Sequence, residues 1–481
     1  MTTQTQHTVE KIGGTSMSQY RHVRDNILVG QREGDDLYQR IFVVSAYGGV
    51  TDLLLEHKKT GEPGVYALFA NTESDWAWSD ALTKVNERLC AINAELFEDS
   101  FQRAQADQFI TERVEGARSC MIDLQRLCSY GHFQLQEHLL TVRELLATLG
   151  EVHSAWNTAS LLQAEGINAR FIDLTGWREP TLLDFDEKIR STFDAIDLSR
   201  ELPIVTGYTK CQEGLIRSYD RGYSEITFSR IATVTNAREA IIHKEYHLSS
   251  ADPKVVGADK VVPMGRTNYD VADQLANLGM EAIHPRAAKG LRQLNIPLRV
   301  KNTFEPEHQG TLITTDYRSA TPCVEIIAGR KRVFAIEVFD QDMVGVGGYD
   351  RRILEVLERF KLKVITKDVN ANTITHFVDA NLKNVRRVVS ALEEMLPNAT
   401  ISINKVAIVS AIGSDMQIPG ILAQTVKALA DQDISVLALH QSMRQVDMQF
   451  VIDEENYEAA IVSLHRCLIE PHNHQYAICA A

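Results

Sequence analysis

The chain has 481 residues, 44% of them hydrophobic and 24% charged, and a formal net charge of −14 at pH 7. That length accommodates about two to four domains, each with its own core, and the acidic balance argues against nucleic acid or an anionic membrane as the main partner. No apolar run reaches the roughly 20 residues that span a bilayer. The start, Met1-Thr-Thr-Gln-Thr-Gln-His7, lacks the basic and apolar regions of a secretion signal, so a cytoplasmic protein is expected. Its cysteines are scattered and show no C-x-x-C spacing, which reads as reduced thiols, and no His/Cys/Asp cluster has structural-metal spacing.

In chain order, a strand over 8–12 carries Lys11 and runs into Gly13-Gly14-Thr15-Ser16, followed by a helix-like segment over about 18–30. Adjacent glycines let backbone N–H groups approach an anion, a following helix adds its dipole, and Lys11 adds a full charge, a combination that suits a nucleotide phosphate. The spacing is neither that of a P-loop nor that of a dinucleotide fingerprint. Further strands are expected at 40–46, 169–173, 203–207, 238–243 and 298–302, with helices near 132–149, 153–165, 222–235 and 270–278. This alternation predicts an α/β class: a three-layer α/β/α domain with a largely parallel sheet. Residues 64–130, rich in Ala, Glu, Gln, Leu and Arg, read as a helical insertion.

The last 150 or so residues contain an internal repeat. Val333-Phe-Ala-Ile-Glu-Val-Phe-Asp-Gln-Asp-Met343 aligns with Val406-Ala-Ile-Val-Ser-Ala-Ile-Gly-Ser-Asp-Met416 at an offset of 73. Helices over 349–359 and 418–430, strands over 361–366 and 434–439, strands ending at Asp379 and Asp453, and helices over 381–395 and 454–468 follow. Each copy therefore reads β-α-β-β-α-β, a ferredoxin-like α+β unit.

Lys11-Ile-Gly-Gly-Thr-Ser16 resembles the Lys-Phe-Gly-Gly-Thr-Ser signature of the aspartate kinases, and the paired C-terminal units resemble their tandem ACT domains. The resemblance implies an amino-acid-kinase catalytic domain over 1–320, with 64–130 as a helical insertion, and ACT domains over 330–398 and 403–472. It implies ATP with Mg²⁺ as phosphoryl donor, L-aspartate as acceptor, and a homodimer or higher homo-oligomer formed through the ACT domains. Lys11, Gly13 and Gly14 then become catalytic, with Thr15 and Ser16 joining them around the nucleotide.

Other segments extend the resemblance. Ser45-Ala-Tyr-Gly-Gly-Val-Thr51-Asp52 is similar to the family's Ser-Ala-x-x-Gly-x-Thr-Asn, placing Ser45 and Thr51 at the substrate. Val142-Arg-Glu-Leu-Leu146 stands where the family has a Gly-Glu-Leu segment, which gives Glu144 the α-amino group of aspartate, although Arg143 replaces a small residue. Asp220-Arg-Gly-Tyr-Ser-Glu225 resembles Gly-Arg-Gly-Gly-Ser-Asp. This implies that Arg221 clamps the α-carboxylate, with Ser224 and Glu225 beside it; a guanidinium fork suits that task.

Ser249-Ser-Ala-Asp-Pro-Lys254 is similar to the nucleotide segment Tyr-Thr-x-Asp-Pro-Arg, implicating Asp252 and Lys254. Two departures weaken the nucleotide side. His243-Lys244 replaces Thr-Asp, and Glu281 replaces a lysine before His284-Pro285; Lys244 or Lys289 would have to compensate. Thr51-Asp-Leu-Leu-Leu-Glu-His-Lys58 and Ile242-His-Lys-Glu-Tyr-His-Leu-Ser-Ser250 look like the aspartate kinase encoded with ectoine biosynthesis genes. Thr366-Lys-Asp-Val-Asn-Ala-Asn-Thr373 replaces the Thr-Ser-Glu stretch of feedback-inhibited relatives, so weak or absent lysine inhibition is expected. Two rivals are a kinase for another acidic amino acid, suggested by Glu225, and a catalytically weak ACT-domain sensor, suggested by Glu281.

Overall fold

The computed structural model describes residues 6–57, 60–71, 76–219, 222–280 and 282–471. The chain packs as two units: one runs to His247 and resumes over Ile283–Gly310, and the other takes Leu248–Ala282 and continues from Thr311.

The strands of the first unit are β1 (Thr8–Ile12), β2 (Arg40–Val44), β3 (Ala169–Ile172), β4 (Leu202–Thr206) and β5 (Glu239–Lys244). With β6 (Arg266–Asn268) belonging to the other unit, the sixth strand here is β7 (Leu298–Asn302). They lie in the order β3-β4-β2-β1-β5-β7, and every pair is parallel. β1, β2 and β4 are buried at every position, as expected where helices cover both faces of a sheet; β1 does so although it carries Glu10 and Lys11. Helices Leu135–Ala164 and Tyr223–Val234 pack on these strands.

One expectation changes here. The two helices read over 132–149 and 153–165 are a single helix, Leu135–Ala164. Gly150, which reads as an interruption, lies inside it because a Cβ there would come 2.7 Å from Ala46 Cβ and 3.0 Å from Val50 Cγ1. The glycine is a point of close helix approach, not a break. Residues 64–130 contain helices Val65–Asn71, Ala77–Leu96 and Ser100–Ser129.

In the second unit, β6 pairs in parallel with β8 (Thr311–Thr314). The remaining strands are β9 (Ile326–Phe339), β10 (Lys363–Val369), β11 (Thr373–Asp379), β12 (Thr400–Ile412), β13 (Ala438–Gln441) and β14 (Asp447–Asp453). They form one antiparallel sheet in the order β10-β11-β9-β12-β14-β13. Val333 and Val406, equivalent in the sequence repeat, are paired with each other across β9 and β12. The copies thus meet about a local two-fold.

The structure closes the copies differently from the sequential reading. Residues 333–339 start the first half and 400–405 complete it. The second half starts at 406–412, but its outer strand is 326–332, which precedes the first half in the chain. Two long strands each serve both halves, so the first half is inserted within the second. Residues 248–282 and 311–320, read as part of the catalytic domain, fall in the unit of these halves, and Ala251 and Val256 share a core with Phe450, Ile461 and Leu464.

Candidate active site

In an open parallel sheet, ligands bind beyond the carboxyl ends of the strands. At that edge of the first unit, β1 ends in Gly13 and Gly14, β2 in Ser45, β4 in Gly207, and β5 in Lys244 and Glu245. Gly14 begins the short helix Gly14–Met17. A Cβ on Gly14 would lie 2.5 Å from Ala46 O, and one on Gly207 would lie 2.6 Å from Ser224 Cβ and 2.9 Å from Glu151 Oε1. The strand ends are therefore drawn together more closely than side chains permit.

A cluster of charge occupies this edge. Lys11 Nζ lies 3.8 Å from Glu225 Oε1, and both side chains are nearly buried. Burial lowers the Lys11 pKa, opposed by the carboxylates of Glu225, Glu245 and Glu151 and reinforced by Lys244. Burial alone would raise the Glu225 carboxyl, but Lys11, Lys244 and the backbone N–H of His284 bring it below its ordinary value. That N–H donates to Glu225 Oε2 at 2.6 Å. Glu225 thus bridges Lys11 and the start of the helix Pro285–Gln293, which gives its extra methylene a structural use.

Glu151 is the residue that sequence reasoning missed. Its Oε2 is sealed from solvent and has no hydrogen-bond partner. Burial pushes its carboxyl from 4.5 up to about 8, against a lowering pull from Lys11. One turn along the helix, the Ser154 hydroxyl donates to Ser45 O at 2.8 Å, and Ser45 Oγ and Ser224 Oγ share a hydrogen bond of 3.0 Å. A carboxyl desolvated at a strand edge, with one oxygen sealed and unpartnered, has the character of a functional group.

Glu144, assigned to the substrate amine from its sequence, stands seven residues earlier on the same helix, about 10 Å away along its axis. It accepts a hydrogen bond from the buried Tyr208 hydroxyl at 2.7 Å, and it borders a different cavity of about 530 Å³ beside Trp177 and Lys210. The local signal for Glu151 was present in Gly150-Glu151, a glycine–glutamate pair within a helical pattern. Arg143 is accounted for by its pairing with Glu56, 2.8 Å from Nη1 to Oε2, and by stacking over Tyr66.

The other assignments divide. Thr15 is exposed, whereas Ser16 is fully buried. Ser16 N and Oγ both donate to Glu245 Oε1, at 3.1 and 3.0 Å, and its hydroxyl lies 3.1 Å from Thr303 Oγ1. Its hydroxyl therefore ties β1 to β5 and is not presented to a ligand. Thr51 is half-buried in the first turn of the helix Val50–Leu54. Lys244 acts on both Lys11 and Glu225, while Lys289 borders a separate groove with Arg230 and Arg286. His243 turns away from this edge: its Nε2 donates to Glu10 Oε2 at 2.8 Å, and Arg40 Nε donates to Glu10 Oε1 at 2.8 Å. Arg221 and Glu281 lie outside the described residues. Asp252 and Lys254 belong to the second unit, where Asp252 Oδ1 accepts from Lys254 N at 2.9 Å and caps the helix Pro253–Val256. Among the described residues, no group of three or more His, Cys, Asp or Glu side chains is arranged to hold a metal ion.

Residues 6–302 match the amino acid kinase family, and residues 409–468 match the ACT domain. The chain belongs to the amino acid kinase family. This kinase is 61% identical, over 99% of its length and all of the relative's, to the aspartate kinase Ask_Ect of Stutzerimonas stutzeri strain A1501. Against the aspartokinase of Geobacillus stearothermophilus it is 26% identical, covering 67% of this chain and 80% of the relative. Among solved structures, E. coli aspartokinase III in complex with aspartate and ADP superposes with a TM-score of 0.71 at 17% identity, covering 97% of this chain and all of that one. Clostridium acetobutylicum aspartate kinase gives 0.70 at 20% identity, with 96% of this chain and all of that one covered. At those identities the superpositions establish the amino-acid-kinase and ACT architecture.

Proposed function

We propose that this amino acid kinase transfers the γ-phosphoryl group of MgATP to the β-carboxylate of L-aspartate, giving 4-phospho-L-aspartate and ADP. The observation that carries the reading is the meeting of Lys11, Glu225 and Glu151 with the Gly13-Gly14 turn and the Ser45–Ser224 pair at one edge of the parallel sheet. The relative at 61% identity, named an aspartate kinase, supports the choice of acceptor.

The acceptor carboxylate is ionised at neutral pH and needs no general base. The protein's work is to hold the acceptor in line and to neutralise charge on the transferring group. Lys11 and the Gly13 and Gly14 amides supply positive potential for the phosphates, and Lys244 adds to it. Ser45 and Ser224 offer hydroxyls to the acceptor, and Arg221 takes its α-carboxylate. Glu151, in place of Glu144, receives the α-ammonium group, since a desolvated carboxylate with an unpartnered oxygen gains most from an incoming cation. With no carboxylate cage among the described residues, Mg²⁺ would arrive on the nucleotide phosphates, as it commonly does. Asp252 and Lys254 belong to the nucleotide reading, with Thr15 beside the glycines.

The first unit, residues up to 247 with 283–310, is the catalytic domain, with 64–130 as its helical insertion, and the two interleaved ferredoxin-like halves of the second unit are the ACT domains, through which a homodimer or larger homo-oligomer assembles in the cytoplasm. The product feeds ectoine or aspartate-family amino-acid biosynthesis. Among the described residues no helix is long and apolar enough to cross a membrane. The test is ATP-dependent hydroxamate formation with L-aspartate, L-glutamate and N-acetylglutamate in parallel. Signal with aspartate alone, abolished in Lys11→Ala, is expected. Signal with another acid would change the substrate, and silence with all three in protein that binds aspartate would favour a sensor.

A further inference from the structure

A second cavity lies in the first unit beyond the carboxyl ends of β3 and β4, the side on which open parallel sheets place their ligands. Its volume of about 530 Å³ is that of a small-molecule site. Its walls are the loop after β3, Lys210 after β4, and the helices Ser100–Ser129 and Leu135–Ala164. The loop is fixed before any ligand arrives. Asp173 Oδ1 accepts from Thr175 N at 2.9 Å, Arg113 Nη2 donates to Asp173 Oδ2 at 2.7 Å, and the same guanidinium lies 4.7 Å from the Trp177 ring centre. A Cβ on Gly116 would come 2.5 Å from Trp177 Cη2, so the ring rests on the helix where only a glycine admits it.

Two opposite charges border this cavity and do not pair with each other. Lys210 is half-buried, with its stem laid along Gly176, where a Cβ would come 2.6 Å from Lys210 Cδ. Among the described residues its ammonium has no hydrogen-bond or ion-pair partner. Glu144 accepts from the Tyr208 hydroxyl through Oε1, and among the described residues its Oε2 has no partner. Met121, Leu145 and the Trp177 ring give the cavity an apolar wall. A purely apolar occupant would strip water from both charges and return nothing. A phosphate would set its charge against the Glu144 carboxylate. A ligand that carries both an ammonium and a carboxylate answers Glu144 and Lys210 at once through charge-assisted hydrogen bonds.

We infer that this cavity binds a zwitterionic α-amino acid with an apolar side chain, its carboxylate on Lys210, its ammonium on Glu144 and its side chain against Trp177. The site stands two helical turns from Glu151, about 10 Å along the axis, and does not depend on the kinase reading. Tyr208 lies between the two places. Its hydroxyl donates to Glu144, and its ring meets edge-on, at 5.4 Å, that of Tyr223, the residue before Ser224.

The test is a titration of the full chain with L-phenylalanine, read by the part of the tryptophan fluorescence that Trp177→Phe removes and, independently, by calorimetry. Removing one charge-assisted hydrogen bond weakens binding by about ten- to hundredfold. 3-Phenylpropanoate, which lacks the ammonium, and 2-phenylethylamine, which lacks the carboxylate, should each bind at least about tenfold more weakly than phenylalanine. Lys210→Met should weaken phenylalanine to a similar degree and leave 2-phenylethylamine unchanged. Glu144→Gln should weaken phenylalanine and leave 3-phenylpropanoate unchanged. Each variant reports by itself, so one suffices where the other does not fold. Absence of saturable binding at millimolar phenylalanine in folded wild type overturns the inference. So does equal affinity for all three compounds, the mark of a plain apolar hole, or an affinity for phenylalanine that neither variant moves. A fluorescence response to L-aspartate that Lys210→Met abolishes overturns it too, by making the cavity the acceptor site; hydroxamate formation on the same preparation tests the proposed reaction separately.

Discussion

The sharpest consequence of the site concerns Glu151. Its carboxyl is pushed from 4.5 up to about 8 by burial, with Lys11 opposing, so in the free enzyme at pH 7 only about one molecule in ten carries the charge that an incoming ammonium needs. Holding it ionised at pH 7 costs about 1.4 kcal/mol. The kcat/KM for aspartate should accordingly rise with pH, with a slope near one in logarithmic terms between about pH 6.5 and 7.5, and level off above about 8. Glu151→Gln removes both the charge and the titration. It should lower kcat/KM by roughly 10²–10³, the range expected for removing one partner of a buried ion pair, and flatten the profile.

The same shift has a stability signature. A carboxyl whose folded pKa is raised favours the folded state while protonated, and that contribution is lost as pH rises from the unfolded value towards about 8. Glu151→Gln should therefore gain thermal stability over wild type as pH rises, with a ceiling of roughly 5 kcal/mol. Rates come from the hydroxamate assay and stability from thermal melts without substrate. A flat wild-type profile, or an acidic limb that survives in Glu151→Gln, would refute the reasoning.

Other expectations follow from neighbouring groups. Lys11→Ala should lower kcat on the order of 10²–10³, by analogy with removal of a preorganised donor, measured at saturating ATP and aspartate. Glu10→Gln leaves the Arg40 guanidinium, 5% exposed, without its counter-charge and should cost about 3–5 kcal/mol in denaturant unfolding. Burial alone would raise the Glu10 carboxyl, but Arg40 and His243 hold it well below the carboxylate range. Its contribution is thus present at neutral pH and lost as pH falls below about 4.5. Gly207→Ala should raise the KM for aspartate and destabilise by about 1–3 kcal/mol, because its Cβ would press on Ser224 and Glu151. Lysine or threonine at millimolar concentration should leave most activity intact, and abolition of turnover would contradict that expectation.

Much of this protein could be read from local chemistry alone. The strand–glycine turn at Lys11, Gly13 and Gly14, the alternation of strands and helices, and the repeat at 333 and 406 are signals written within a few residues or at a fixed offset. The strand expected at 8–12 lies at Thr8–Ile12 and that at 298–302 at Leu298–Asn302, where Leu298, Val300 and Asn302 alternate inward with Arg299 and Lys301. What a side chain faces is a different kind of information. Glu144 and Glu151, seven residues apart, share one face of one helix, and only where that helix sits, with Gly150 packed against Ala46 and Val50, puts Glu151 at the strand edge while Glu144, two turns earlier, meets Tyr208. Ser16 looked like a phosphate ligand until Glu245, 229 residues on, took its hydroxyl. His243 looked like a loss on the nucleotide side until Glu10 took its ring. The exchange of strand 326–332 into the second half of the repeat is of the same origin. Periodicity specifies which residues make an element, but the partner across a sheet or core is decided by close packing and by the need to satisfy every buried polar group.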